Sequence, residues 1–297
     1  MKAEEQCLLA PGWRGERVPR ACVIGLGLMG GSWAGALQAR GWQVWAVERQ
    51  AASLEQARER GWIREGWSVL PARLDVDLVI IALPLPAVLT ILPDAAACFA
   101  AGTIVMDVSS LKTAVCAAAP VLTAKGIHFV GGHPMTGSEK SGFEAAKPDL
   151  FYGYPYVLTP LPDCPAAVLE ALRQLIGQLG ARLVLREPAL HDQEAAMISH
   201  IPHVLSVALT LAAGDMRAAG LEALELAGRS FREMTRIADS SPEMWREIML
   251  NNAEAILAGL KICQERLDEF RGYIEQGDGD GVAQAFQQAR RVREDLF

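Results

Sequence analysis

The chain has 297 residues, with 28 Lys and Arg against 35 Asp and Glu for a formal net charge of −7, and 51% of its residues are hydrophobic. That length and apolar content suffice for one large or two medium cores, and an acidic balance with no Lys/Arg block excludes a nucleic-acid surface. The six cysteines (Cys7, Cys22, Cys98, Cys116, Cys164 and Cys263) show no C-x-x-C spacing, which points away from zinc or a redox pair and toward a reducing cytosol.

Residues 1–20 are acidic early and carry only a short apolar run, so they read as a tail or covering arm and not as a signal peptide. From Ala21 the pattern alternates. "ACVIGLG" and "QVWAVER" are strands, and the segment from Met29 to Arg40 between them is helical. "DLVIIALP", "TIVMDVSS", "HFVGGHP", "YPYVLTP" and "ARLVLREP" follow as strands. Near-continuous apolar strands separated by helices specify a parallel sheet covered on both faces. The longest apolar stretch, "LVIIALPLPAVLTIL", is interrupted by Pro84 and Pro86. It reads as a buried strand plus a turn, and no membrane span is expected. Strand patterns stop near Pro188, and Ala189 to Phe297 is Ala/Leu/Glu-rich with helical periodicity. Pro188, Ser241-Pro242-Glu243 and "QGDGDG" punctuate that stretch as helix starts or breaks. The expected fold is α/β: a Rossmann-type, doubly wound, mostly parallel sheet over residues 21–187, then an all-helical domain over 188–297.

Gly25-Leu26-Gly27-Leu28-Met29-Gly30 follows the strand Cys22–Ile24 and opens a helix. In that context Gly25 permits the tight turn, Gly27 lets the backbone approach a pyrophosphate, and Gly30 allows close helix–strand packing. Leu28 and Met29 complete the loop that would hold a dinucleotide. Glu48 ends the second strand, 21 residues past Gly27, where a carboxylate hydrogen-bonds the adenosine ribose and repels a 2′-phosphate. That favours NAD. Arg49 beside it can instead contact a 2′-phosphate, which keeps NADP open.

"DVSSLK" places Ser109, Ser110 and Lys112 at the carboxyl edge of the same sheet. Ser109 is assigned to the cofactor. Ser110 either holds a substrate hydroxyl or caps the next helix. In "HFVGGHPMTGSEKSG", His133 is framed by Gly131, Gly132, Gly137 and Gly142, which suits close approach of a ligand or backbone at positive φ. With an ordinary pKa near 6.5, His133 can take a proton from an alcohol as hydride departs to a nicotinamide; the competing reading is a turn cap. His128 is read as structural. In "MISHIPHVLSVAL", His200 and His203 share a helix face and Pro202 between them should kink the helix. With no third ligand at a fitting spacing, they suit a pocket wall or a solvent-facing pair and not a metal. Arg236, in "FREMTRIADSSPEMW", either clamps a carboxylate or lies at the surface. Trp245, the only tryptophan of the helical half, reads as core or ligand contact.

Five segments, "GLGLMGGS" (25–32), "DVSSLK" (107–112), "GGHPMTGSEKSG" (131–142), "SHIPH" (199–203) and "TRIADSSPEMW" (235–245), together resemble the prephenate/arogenate dehydrogenase family of tyrosine biosynthesis. The resemblance implies a Rossmann domain and a helical domain that forms a homodimer, with the active site in the cleft between them. It implies oxidative decarboxylation of a cyclohexadienol, with hydride passing to NAD(P)+ and carbon dioxide lost as the ring becomes aromatic. By position, His133 matches the histidine that deprotonates the ring hydroxyl, and Ser110 the serine that holds it. Arg236 matches the arginine that binds a substrate carboxylate, and His200 and His203 the cleft-lining pair. Ser138 stands where threonine is common, Glu139 matches a carboxylate at the site entrance, and Trp245 a tryptophan near the substrate. No appended regulatory domain is expected beyond the helical part, and no mutase-like extension before residue 21.

Two other functions fit the same plan. A β-hydroxyacid or imine dehydrogenase would use a lysine from the second domain, but the helical half offers only Lys261. A non-catalytic nicotinamide-binding regulator would show a degraded polar cluster, whereas Ser110, His133, His203 and Arg236 are all present.

Overall fold

A computed structural model of the chain describes residues 17–137, 140–220 and 222–296. The strands are β1 (Arg20–Ile24), β2 (Gln43–Val47), β3 (Glu65–Trp67), β4 (Leu78–Ile81), β5 (Ile104–Asp107), β6 (His128–Pro134), β7 (Pro155–Pro160) and β8 (Arg182–Leu185). Among the described residues they form one sheet in the order β3-β2-β1-β4-β5-β6-β7-β8. All neighbours are parallel except the antiparallel pair β6 and β7. The order reverses between β1 and β4, and in such sheets ligands bind beyond the carboxyl ends of the strands at that point.

The helices of this part are α1 (Leu28–Gln38), α2 (Ala51–Glu59), α3 (Leu85–Cys98), α4 (Thr113–Ala118), α5 (Pro120–Thr123) and α6 (Ala166–Gln178). Strand alternation divides the core into two layers. Ala21 and Val23 pack with α1, α2 and α6 through Trp33, Leu54 and Leu172. Cys22 and Ile24 pack with α3, α4 and α5 through Val88, Val115 and Leu122. The stretch expected to be a strand plus a turn is β4, Pro84 as the N-cap, and then α3. Two turn-forming prolines therefore start a helix, as proline at a first helical turn does. The short edge strand β3 was not foreseen. Its three residues carry no alternating pattern to read.

After β8 the described chain is helical: α7 (Pro188–Ala195), α8 (Ile201–Ala218), α9 (Arg229–Thr235), α10 (Pro242–Asn251), α11 (Ala253–Gln276) and α12 (Gly279–Glu294). The expected starts at Pro188 and at Ser241 hold, and Ser241 Oγ accepts from Met244 N at 3.3 Å. The kink expected at Pro202 takes the form of a π-helical turn over Ala196–His200. Proline has no N–H for the carbonyl one turn back, and a π turn is one way a helix absorbs that loss. Helix α11 crosses this turn closely, since a Cβ on Gly259 would lie 3.0 Å from Ile201 Cγ1.

Close approach also sets the front of the sheet. A Cβ on Gly30 would lie 1.8 Å from the carbonyl oxygen of Gly25, so α1 can seat against the β1 turn only with glycine there. We expect Gly30→Ala to lower the unfolding free energy by about 3 kcal/mol. Urea denaturation checks this, and an unchanged midpoint contradicts the packing described.

Candidate active site

The glycine loop leaves β1 with Gly25 at φ +93° and its N–H on Val47 O at 2.8 Å. Gly27 is the N-cap of α1 and receives no side-chain cap, and a Cβ built on it would meet nothing within 4 Å. The first amides of α1 thus face open space beside a backbone that can be approached closely, which is the cradle a pyrophosphate needs. Leu28 and Met29 are half-buried behind it and Gly30 is buried. Glu48, expected at a ribose, has a second task. Its carboxylate accepts from Leu26 N at 2.8 Å and Gln50 N at 2.9 Å, so it braces the loop itself. Each oxygen keeps acceptor capacity for a ligand. Arg49 is exposed next to it.

At the end of β5 lies a buried ion pair. Lys112 is fully buried; its ammonium contacts Asp107 and donates to Gly132 O at 2.7 Å, and Gly132 N donates to Asp107 Oδ1 at 3.2 Å. Ser109, assigned to the cofactor from sequence, directs its hydroxyl onto Asp107 and is 8% exposed. An acceptor-only carboxylate in a dry site collects every nearby donor. Ser110 is half-buried and lies just before α4 without capping it. That helix is capped from elsewhere. Asp192, on α7, accepts from Lys112 N at 2.8 Å and Thr113 N at 2.9 Å.

His133 is the penultimate residue of β6, opposite Val157 of β7. Two of its framing glycines answer to strand packing and not to ligand approach or positive φ. A Cβ would lie 2.2 Å from Thr159 Oγ1 at Gly131, and 2.6 Å from Asp107 O at Gly132. Of the four, only Gly142 has positive φ, at +84°. Ser138 and Glu139 lie outside the described residues. His133 Nδ1 sits 2.9 Å from His191 Nε2, and His191 Nδ1 sits 2.8 Å from Asp192 Oδ1. Sequence reading passed over both His191 and Asp192. The adjacent His-Asp pair one turn into the first helix after the sheet was the available signal.

The helical half supplies the rest of the wall. Asn252 Nδ2 donates to Asp192 O at 2.8 Å and lies 3.2 Å from His200 Nδ1. His200 meets Trp245 edge-on at 5.8 Å, and His203 stacks on the same indole at 3.7 Å. His203 Nδ1 is 2.9 Å from Ser199 O. Both histidines thus have protein partners, and neither faces solvent as a free pair. The Trp245 indole nitrogen is buried with no partner among the described residues, a donor left over for something else. Arg236 is exposed and lines an open groove of about 650 Å3 with Ala227, Gly228, Arg229, Arg232 and Glu233.

Burial, with the neighbouring His191, Lys112 and His200 that would repel a second positive charge, holds the His133 imidazole well below its usual pKa. Burial brings His200 down to about 4. Burial, with a smaller push from the Arg236 guanidinium, lowers His203 against the opposing hydrogen bond to Ser199 O. For Asp192 burial pushes upward, but hydrogen bonds from His191, Thr113 and Lys112 outweigh it and lower the carboxyl. The three histidines are therefore neutral near pH 7.

A glycine cradle on a doubly wound sheet, with a neutral histidine and a hydroxyl on the same carboxyl edge, is the plan of a dinucleotide-dependent oxidoreductase. Comparison with known proteins narrows the class. Residues 33–185 match the family "Prephenate dehydrogenase, nucleotide-binding domain", and residues 187–288 match "Prephenate dehydrogenase, dimerization domain". The chain is 33% identical over 278 residues to the prephenate dehydrogenase of Bacillus subtilis, covering 92% of this chain and 75% of that one. It superposes with TM-score 0.86 and 25% identity on an Aquifex aeolicus prephenate dehydrogenase crystallised with hydroxyphenyl propionate and NAD+, covering 95% and 99% of the two chains. A Synechocystis arogenate dehydrogenase gives 0.78 and 31%, covering 94% and 100%. The chain belongs to the prephenate dehydrogenase family.

Two outcomes are expected. Gly27→Ala, whose Cβ points into open space, should weaken dinucleotide binding about tenfold or more while the unfolding free energy from urea titration stays within about 1 kcal/mol of wild type. Calorimetric titration with NAD+ checks it, and unaltered affinity would remove Gly27 from the cradle. Stability should fall below pH 6.5. There the unfolded chain's histidines take up protons while His200 stays neutral until about 4, so the unfolded state binds more protons and ΔG drops as pH falls. His200 alone contributes a loss of about 2 kcal/mol between pH 7.5 and pH 5. Urea titrations at the two pH values measure it, and equal stabilities would contradict the buried neutral state.

Proposed function

We propose that the chain catalyses oxidative decarboxylation of prephenate to 4-hydroxyphenylpyruvate, of arogenate to tyrosine, or of both, with NAD as the preferred hydride acceptor. Family membership supports this reading, and the observation that carries it is the neutral imidazole of His133 on the same sheet edge as an open glycine cradle. Gly25, Gly27, Leu28, Met29 and Gly30 would hold the dinucleotide, with Glu48 at the ribose and Arg49 beside it. Ser109 would act behind this surface, since its hydroxyl is held by Asp107. When bound, the nicotinamide accepts hydride from the ring carbon that bears the hydroxyl. His133 takes the hydroxyl proton, and Ser110 holds the same oxygen. As carbon dioxide leaves the quaternary ring carbon, the electron pair completes the aromatic ring and the phenolic oxygen recovers its proton from His133. Aromatisation supplies the driving force, so orientation and one proton transfer are what the protein must add.

Arg236 would pair with a substrate carboxylate, with the orphan Trp245 N–H as a second donor and His200 and His203 on the same side; Ser138 and Glu139 are assigned to the substrate by the family resemblance alone. A dianionic substrate approaching a chain of net charge −7 needs such a local cation. The lysine-based alternative has only Lys261 in the helical half, and it is exposed on α11.

The proposal includes a homodimer through residues 188–297, with 21–187 as the dinucleotide-binding domain, extended at its start to Arg20 by β1. Among the described residues of the helical half, Ala196, Ile201 and Ile256 form a small buried apolar cluster, while Leu211, Leu250, Leu257 and Leu267 are each more than 60% exposed. So much uncovered apolar surface asks for a partner. The helical run Pro188–Ala218 is long and apolar enough to cross a membrane. However, His191 and Asp192 within it bond to the sheet edge, which favours a subunit contact. The reading places the enzyme in the cytoplasm, with no nucleic-acid or membrane partner.

Purified enzyme incubated with prephenate or arogenate, each with NAD+ or NADP+, should reduce cofactor in at least one NAD+ combination. No reduction in any of the four would overturn the proposal. His133→Ala should lower kcat on the order of 10²–10⁴-fold with cofactor affinity little changed, and a near-normal kcat would remove His133 as base. Arg236→Ala should chiefly raise KM, because it removes binding shared by ground and transition states; an unchanged KM would refute the carboxylate role.

A further inference from the structure

We infer that His191, oriented by Asp192, is a positioning residue that fixes the tautomer of His133 and so aims its unprotonated nitrogen at the substrate. The inference rests on the reading of His133 as the base. Asp192 Oδ1 lies 2.8 Å from His191 Nδ1, and that carboxylate is held ionised by Thr113, Lys112 and His191 despite its burial. An ionised carboxylate only accepts, so His191 Nδ1 carries the hydrogen. In neutral His191 the other nitrogen, Nε2, is then a lone pair. It faces His133 Nδ1 at 2.9 Å, so His133 Nδ1 must donate. His133 Nε2 is left without its hydrogen and can accept one.

Were the relay absent, the neutral imidazole could carry its proton on either nitrogen, and the Nε2–H form cannot act as a base at Nε2. Both rings are nearly fixed. His191 is 2% exposed, and the two imidazoles meet edge-on with centroids 5.1 Å apart. Asp192 is in turn anchored by the backbone amides at the start of α4, so the carboxylate end of the relay has a fixed direction: Asp192 accepts and His191 Nδ1 donates. A carboxylate that orients an imidazole in this way acts without itself taking the proton. Here one more imidazole stands between the carboxylate and the base. The helical half thereby sets the protonation of a residue on the sheet.

The test is nitrogen-15 NMR of histidine-labelled enzyme, with the His133 signals assigned through His133→Asn. In the wild type we expect His133 as the Nδ1–H tautomer near pH 7.5. The Nε2–H tautomer would overturn the inference whatever the activity. His191→Leu should leave His133 a mixture of tautomers and lower kcat about 100-fold, with KM for NAD+ within about twofold. His191→Gln can accept from His133 with its carbonyl oxygen and donate to Asp192 with its amide, so it should keep the Nδ1–H tautomer and stay within about tenfold of wild-type kcat. A His191→Leu enzyme with wild-type kcat, or a His191→Gln enzyme no better than the leucine variant, would also overturn it. Failure of the parent reading looks different: His133→Ala would then retain activity while the wild-type tautomer remained Nδ1–H.

Discussion

The arrangement of the cleft depends on one buried carboxylate. Asp192 leaves water only because donors replace it. These are two backbone amides at the start of α4 and one imidazole nitrogen, while its own peptide oxygen receives Asn252 from the start of α11. Asp192, with its neighbour His191, thus joins the helical half to the carboxyl edge of the sheet at the start of α4 and at β6. Breaking one partner of such a network strands the others in a dry interior, which costs far more than the bond itself.

The second constraint is the Asp107–Lys112 pair. A buried ion pair is poor evidence for stability, since desolvation offsets its attraction. What it does here is geometric. It ties the end of β5 to Gly132 of β6, one residue before His133, and it draws Ser109 inward. No described residue takes up the Ser110 hydroxyl in the same way, and Ser110 is half-buried at that edge. The two glycines before His133 fit the same constraint, because neighbouring strands leave no room for a Cβ at either.

Much of this was legible in the sequence because the signals are local. The glycine spacing after β1, the apolar strands, the loss of strand pattern near Pro188 and the Ser241 cap all act over a few residues. Two of the glycines framing His133 have a reason other than ligand approach: strand packing leaves no room for a Cβ at Gly131 or Gly132. Long-range pairings were not legible. Nothing near residue 191 announces that its imidazole will meet one 58 positions away. Glu48 was read as a ribose ligand, and only the fold shows it also holding the loop that precedes it. The antiparallel β7 and the short β3 depend on sheet neighbours, which periodicity does not encode.

The central claim is that His133 and Ser110 meet one substrate oxygen above a dinucleotide held by the glycine loop. The most direct measurement is a crystal structure of this chain with NAD+ and a hydroxyphenyl carboxylate. The phenolic oxygen should lie within about 3 Å of both His133 Nε2 and Ser110 Oγ, with the carboxylate toward Arg236 and Trp245. A phenolic oxygen bound away from His133, or a dinucleotide seated off the Gly27 cradle, would contradict it.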